Sequence, residues 1–207
     1  LSTVLRQNDW QVQATLRGGG LVALGPWPSP TLGLAVDLGT TKIAAYLLDM
    51  ATGATVAARG AMNPQIRFGE DVVARLTHAL TNVSGTAELS GAAVGGINEL
   101  IVELCGDADA DARRILESVV VGNTAMHHLL LGLPVDQLAR APYVPAVRDA
   151  LELKSRELGI PVGSGAYVHL PPSIAGFVGS DHVAAILATG LHRAAHPALL
   201  MVDTISS

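Results

Sequence analysis

The hydrophobic period of this chain first changes near residue 60, and that change limits the folds open to it. Before that point the apolar residues come in short runs: Leu32 to Asp37, Lys42 to Leu48 and Ala54 to Ala58. Turn residues from Asp49 to Gly53 separate the second run from the third. Runs of this length and spacing predict three strands in an antiparallel meander. After that point Val72, Val73, Leu76, Ala79 and Leu80 share one face of a helix. Glu70 and Asp71 stand at its positive N-terminal end. Ile97, Leu100, Ile101, Leu104 and Cys105 repeat the pattern on a second helix, which makes Cys105 a core residue.

Alternation follows. Ile115 to Val121 reads as a buried strand that runs through Gly122-Asn123-Thr124 into a helix bearing Met126, Leu129, Leu130 and Leu133. Asn123 or Thr124 can cap that helix and Gly132 can close it. Asp149 to Leu158 predicts a surface helix, stopped by Gly159 and Pro161. Ala166 to Leu170 predicts a strand, Pro171-Pro172-Ser173 opens a long helix to Leu191, and Leu199 to Val202 ends the chain's pattern as a strand. The order predicts an α/β lobe: a mixed five-stranded sheet with helices on both faces, arranged as in ribonuclease-H-like folds.

Upstream, Val12, Ala14 and Leu16 alternate, Gly18-Gly19-Gly20 turns the chain, and Leu21 to Leu24 returns it. That predicts an N-terminal β-hairpin. Pro26, Pro28 and Pro30 then mark a boundary, since proline continues neither helix nor ladder. The expected division is residues 1–30 as the end of a preceding middle or linker region, 31–197 as one lobe, and 198–207 as the first strand of a second lobe. A chain that starts at Leu1 and stops just after an apolar run reads as a fragment cut at both ends.

Composition removes several classes of function. Net charge is −5 and aromatic residues are 3%, which offers neither a field for polyanions nor platforms for bases, so no nucleic-acid partner is expected. One cysteine excludes a disulfide framework, a cysteine-rich zinc site and an iron–sulfur cluster within the chain. No apolar stretch reaches the roughly 18–20 residues of a membrane span, and no signal sequence opens the chain, so the expectation is a soluble cytoplasmic protein with no membrane partner. His127 and His128 are adjacent on a helix and point about 100° apart, which suits no shared metal.

The segment richest in chemistry is Asp37-Leu38-Gly39-Thr40-Thr41-Lys42, in a tight turn between two strands. Gly39 lets a backbone approach an anion closely. Backbone N–H groups and the Thr40 and Thr41 hydroxyls can hold phosphate oxygens. Asp37, at the strand end, can hold a hydrated Mg²⁺, and Lys42 adds a point charge. An ordinary hairpin with polar tips would look similar.

This loop resembles the first phosphate loop of the acetate/sugar kinase, Hsp70 and actin superfamily. Further stretches resemble one branch of it, the reductive activators of corrinoid proteins. They are Leu32 to Tyr46 (LGLAVDLGTTKIAAY), Val121 to Gly132 (VGNTAMHHLLLG), Ala141 to Pro145 (APYVP) and Leu170 to Asp181 (LPPSIAGFVGSD). The resemblance implies the first lobe of an actin-like ATPase domain. The parent would use ATP and Mg²⁺ to reduce Co(II) to Co(I) in a corrinoid protein, its partner, with an iron–sulfur cluster in a domain absent from this chain. The alternatives are a sugar or acid kinase of the same superfamily, or a catalytically dead lobe that only binds a partner. A nuclease is disfavoured by Asn123 at the second strand end, and a P-loop NTPase by the missing G-x-x-x-x-G-K-[ST] pattern. Holding one half of a cleft, the isolated chain is expected to hydrolyse no ATP.

The same resemblance gives roles to other residues. Asn123 and Thr124 would face the cleft as donors to phosphate. Ala175, Gly176 and Gly179, on one face of the expected long helix, would let another backbone come close at the lobe hinge. Asp181 is either a solvent-facing helix residue or a site carboxylate. Asp203 matches the start of a second phosphate loop, although the glycine expected two residues on is absent. An uncovered apolar surface beside the last strand makes a homo-oligomer an open expectation.

Overall fold

The computed structural model describes residues 2–193. A short helix α1 (Ser2–Gln7) precedes the expected hairpin, β1 (Val12–Arg17) and β2 (Gly20–Pro26). The lobe follows with β3 (Leu32–Leu38), β4 (Lys42–Asp49) and β5 (Thr55–Met62), then α2 (Val72–Thr81) and α3 (Gly85–Asp107). It continues with β6 (Ile115–Val121), α4 (Thr124–Leu131), β7 (Leu151–Lys154), β8 (Tyr167–Leu170) and α5 (Ser180–Thr189).

The strand order in the main sheet is β5-β4-β3-β6-β8-β7. The meander β3-β4-β5 is antiparallel, as its short turns require, while β6 lies parallel to β3 and β8 parallel to β6. Parallel neighbours need a crossover, which α2 and α3 supply between β5 and β6. Asp37 pairs with Val121, so the ends of β3 and β6 come out side by side on one rim. That rim carries the Gly39 loop and the Gly122-Asn123 turn.

Leu34, Val36 and Leu38 of β3 point into the core with Ile43 and Leu47 of β4. Leu76 of α2, Ile97 and Leu104 of α3, and Leu129 of α4 close over them. The other face is thinner: Tyr46, paired with Ala35, is 44% exposed. Helix α3 is long and apolar enough to cross a membrane, contrary to the expectation that no segment would be. Half of its apolar window is buried inside the fold, which is the packing of a core helix.

Two expected elements are replaced. The predicted surface helix over 149–158 is instead strand β7, antiparallel to β8, followed by a 3-10 turn at Ser155–Leu158. Leu151 and Leu153 alternate with Glu152 and Lys154, and pairing β7 onto β8 covers what would otherwise be an open edge. The sheet therefore has six strands rather than five. The long helix expected from residue 171 begins only at Ser180. Its first part is a compact turn in which the Ile174 and Ala175 N–H groups both donate to the Val178 carbonyl. Two prolines before it and the weak helix propensity of Gly176 and Gly179 explain the late start.

The hairpin is fastened to the lobe by charge. Arg17 donates to Glu117 on β6 and Glu152 on β7, and stacks over the Tyr167 ring at 4.4 Å. The strand expected at 199–202 lies outside the described residues.

Candidate functional site

The loop between β3 and β4 is held from behind. The Gly39 carbonyl accepts from Asn63 Nδ2 at 2.8 Å, the Thr40 carbonyl from Arg75 Nη2 at 2.7 Å, and the Thr41 carbonyl from the Asn63 backbone N–H at 2.9 Å. In a trans peptide the N–H lies opposite the carbonyl. Three consecutive carbonyls pulled inward therefore turn the N–H groups of Thr40, Thr41 and Lys42 outward, in the manner of an anion nest. Gly39 is required here because a Cβ would meet the Lys42 carbonyl oxygen at 2.6 Å.

The supports behind the loop form one buried network. Asn63 and Gln65 are fully buried, and Asn63 Nδ2 also donates to Gln65 Oε1 at 3.1 Å. Gln65 is anchored in turn on the Leu89 carbonyl of α3. Arg75 of α2 is 0% exposed and donates to Gly69 as well as Thr40. Sequence reasoning missed all three. One signal was available: Arg75 sits three residues after Val72, on the apolar stripe of its helix, where a charge is rarely left without a task.

The facing wall is built by close backbone contact. A Cβ on Gly179 would lie 2.2 Å from the Gly122 carbonyl oxygen and 2.4 Å from Asn123 Cα. The start of α5 thus lies directly against the β6–α4 turn. The Ser180 N–H donates to the Gly122 carbonyl at 3.0 Å, and Ser180 Oγ accepts from the Gly122 N–H at 3.2 Å. His127 Nε2 binds the Val120 carbonyl at 3.1 Å and Ser180 Oγ at 3.0 Å. Burial pushes the His127 imidazole down to about 4, so it is a neutral tie between β6 and α5. His128 faces elsewhere: its Nδ1 bonds the Thr124 carbonyl and its Nε2 accepts from the Ala146 N–H. The two histidines bond different partners.

Asn123 joins the two walls. Its Oδ1 caps α4 by accepting from the Met126 N–H at 3.0 Å, while its Nδ2 reaches Thr40 Oγ1 at 3.4 Å. Thr124 is fully buried and its hydroxyl donates to the Ala175 carbonyl at 2.6 Å, so it fastens the 174–179 turn to α4. Ala175, Gly176 and Gly179 do not share a helix face, because they precede the helix. Close approach nonetheless occurs at two of them: Gly179 against Gly122, and Gly176 against the Tyr143 carbonyl. Asp203 lies outside the described residues.

Two carboxylates lie near this rim, Asp37 beside Val121 in the sheet and Asp181 with its N–H on the Gly122 carbonyl. Asp37 ends β3 and Asp181 opens α5. Loss of water around Asp37, and then the negative charge of Asp181, push the Asp37 carboxyl above its usual range. Asp181 is held by its own Oδ1, which accepts from the His182 N–H and contacts His182 Nδ1, both at 2.8 Å. Its place in the site follows from the late start of α5, a helix that the sequence reading opened at Pro171-Pro172-Ser173. Among the described residues no three His, Cys, Asp or Glu side chains converge, so a metal here would keep most of its own water.

Comparison with known proteins agrees with this architecture. The model of the family described as the RACo middle region matches residues 32–194. The corrinoid activation enzyme RamQ of Eubacterium limosum is 34% identical over 164 residues, covering 79% of this chain and 27% of RamQ. A solved structure, a reductive activator for corrinoid, iron–sulfur protein, superposes with a TM-score of 0.85 at 30% identity, over 95% of this chain and 32% of that one. The chain thus spans between a quarter and a third of the length of these relatives.

Proposed function

The chain belongs to the RACo middle-region family, and from that premise we propose that it is a nucleotide-phosphate-binding lobe serving ATP-dependent reductive activation of a corrinoid protein. The observation that carries this reading is the convergence of Asp37, the outward-turned N–H groups of Thr40 to Lys42, Asn123 and Asp181 on one rim.

In this reading the Thr40, Thr41 and Lys42 amides receive phosphate oxygens, with the Thr40 hydroxyl oriented by Asn123. Lys42, an exposed residue, adds charge at the edge. Asp37 and Asp181 are the residues that would hold a hydrated Mg²⁺. The donor set suits it, since a divalent cation offsets what raises the Asp37 pKa, first the loss of water around the carboxylate and then the charge of Asp181. Bound there, the ion would supply neutralisation of phosphate charge. Gly179 against Gly122 keeps α5 in contact with the phosphate side of the lobe, so a shift of α5 would move Asp181 relative to Asp37. An iron–sulfur cluster does not fit: the one cysteine, Cys105, is buried in the core of α3 and burial pushes its thiol up. Electron delivery therefore belongs to another part of the parent protein. The corrinoid protein as electron acceptor is carried over from the relatives.

The test is the parent protein with Asp37→Ala. Loss of ATP-dependent Co(II) to Co(I) reduction, followed by the cobalamin absorption bands, is the expected result. Reduction at the unmodified rate removes Asp37 from the site.

A further inference from the structure

Arg75 has an unusual place for a permanent charge. It is 0% exposed, and its guanidinium lies directly behind the loop that the preceding reading assigns to phosphate. Its hydrogen-bond partners are dipoles and a thioether: the Gly69 and Thr40 carbonyls, Gln65 Oε1 at 3.4 Å and Met126 sulfur at 3.4 Å. Among the described residues no carboxylate bonds to it, and the acidic group that acts on it, Asp71, does so through space. Burial pulls its pKa down to about 10, which still leaves it charged at neutral pH. A buried charge without an ion partner is costly, and a fold keeps one where something else compensates.

The compensation that the geometry offers is an anion on the far side of the loop. We propose that Arg75 is the positioning residue of this loop, holding the Thr40 carbonyl so that the neighbouring amides face outward and supplying from behind the positive field that attracts phosphate. This rests on the phosphate-site reading and goes beyond it, because it moves the decisive charge from the exposed Lys42 to a residue that never touches the ligand. A charge inside the protein is screened much less by salt than one on a flexible exposed side chain. A plain fastener joining α2 to the loop would show different behaviour. It would weaken all ligands alike, whatever their charge, and would not need to be cationic.

The experiment is an amide NMR titration of the chain with Mg²⁺ plus ATP, ADP or AMP, comparing wild type with Arg75→Met, Arg75→Lys and Lys42→Met. In the wild type the Thr40, Thr41 and Lys42 amides shift on addition of ATP. Arg75→Met is expected to weaken ATP about tenfold or more, ADP less and AMP least. Arg75→Lys is expected to stay within about threefold of wild type for ATP and to lose less than Arg75→Met, while Lys42→Met loses less than either. A folded Arg75→Met protein that keeps ATP affinity within twofold overturns the inference and leaves the phosphate site standing. So does an equal loss for all three nucleotides. Should Arg75→Met fail to fold, the other pair decides, and a larger loss in Lys42→Met than in Arg75→Lys overturns it. A wild-type protein whose loop amides ignore all three nucleotides sinks the phosphate-site reading and this inference together.

Discussion

The two walls of the cleft are held in opposite ways. The wall at residues 37–42 is posed by side chains: Asn63 and Arg75 reach its carbonyls, and Gln65 ties those two together in a buried polar network. The wall at 122–123 and 179–181 is posed by missing side chains, with backbone pressed on backbone at Gly122 and Gly179. The first wall depends on charge and hydrogen-bonding capacity. The second depends on volume, so a single methyl group disturbs the packing.

The sharpest way to break that contrast is Gly179→Ala. Its methyl group would sit 2.2 Å from the Gly122 carbonyl oxygen and 2.4 Å from Asn123 Cα, both backbone atoms. A loss of about 3 kcal/mol is expected, read as a fall in Tm of about 6–12 °C by circular dichroism. A fall of less than about 2 °C would mean that the second wall yields easily and is not defined by volume.

Next in size is Ser180→Ala. It strips the Gly122 N–H and His127 Nε2 of the same buried partner, at a cost of about 1–3 kcal/mol. Thermal unfolding of that variant beside Gly179→Ala ranks the hydrogen bond against the contact. An Ser180→Ala protein that melts with the wild type would show that the serine hydroxyl contributes nothing to joining α5 and β6.

The same wall predicts a pH dependence. The unfolded chain protonates His127 near the ordinary histidine value of about 6.5, whereas the folded chain holds it neutral down to about 4. The unfolded state then binds more protons between those limits, so stability is fully present above the upper one and is lost as pH falls toward the lower. His128 shifts in the same direction, also through burial. His127→Gln retains a donor at the Nε2 position without titrating, and its Tm should decline less steeply between pH 6.5 and 4 than that of the wild type. Parallel Tm profiles would place the neutral tie elsewhere.

The smallest expected effect lies at the first wall. The folded pKa of Asp37 is raised, so ionisation at neutral pH counts against the folded state. Asp37→Asn should raise Tm by a few degrees at most at pH 7, and by nothing near pH 2, where both states of the wild type are protonated. A destabilised variant at pH 7 would mean that Asp37 serves the fold rather than a ligand.

How much of this was legible in the sequence follows the same division. The turn from Asp37 to Lys42 could be placed because its signals are local, in a glycine and two threonines between two short apolar runs. Asn123 could be read as a cap, and its second hydrogen bond, to Thr40, places it beside the loop. The supports behind the loop could not be placed, because Arg75 and Gln65 reach Thr40 and Leu89 across 35 and 24 residues of chain. The small residues near 176 were recognised as points of close approach but assigned to a helix, since i, i+4 spacing suits a helix and a tight turn equally well. Residues 151–154 were misread because a strand of four residues shows too little alternation to compete with a helix of ten. Asp181 was left undecided for a related reason: its direction depends on where α5 starts, and that is set by Gly179 meeting Gly122 far upstream.

The central claim is that both walls receive one phosphate-bearing ligand. The direct measurement is a single titration of the wild-type chain with Mg²⁺ and ATP, following the amides of Thr40, Thr41 and Lys42 together with those of Gly122, Asn123 and Asp181. The account predicts that both sets shift with one common dissociation constant, and that Asp37→Asn weakens it. Shifts confined to one wall, or two sets that follow different constants, would contradict it.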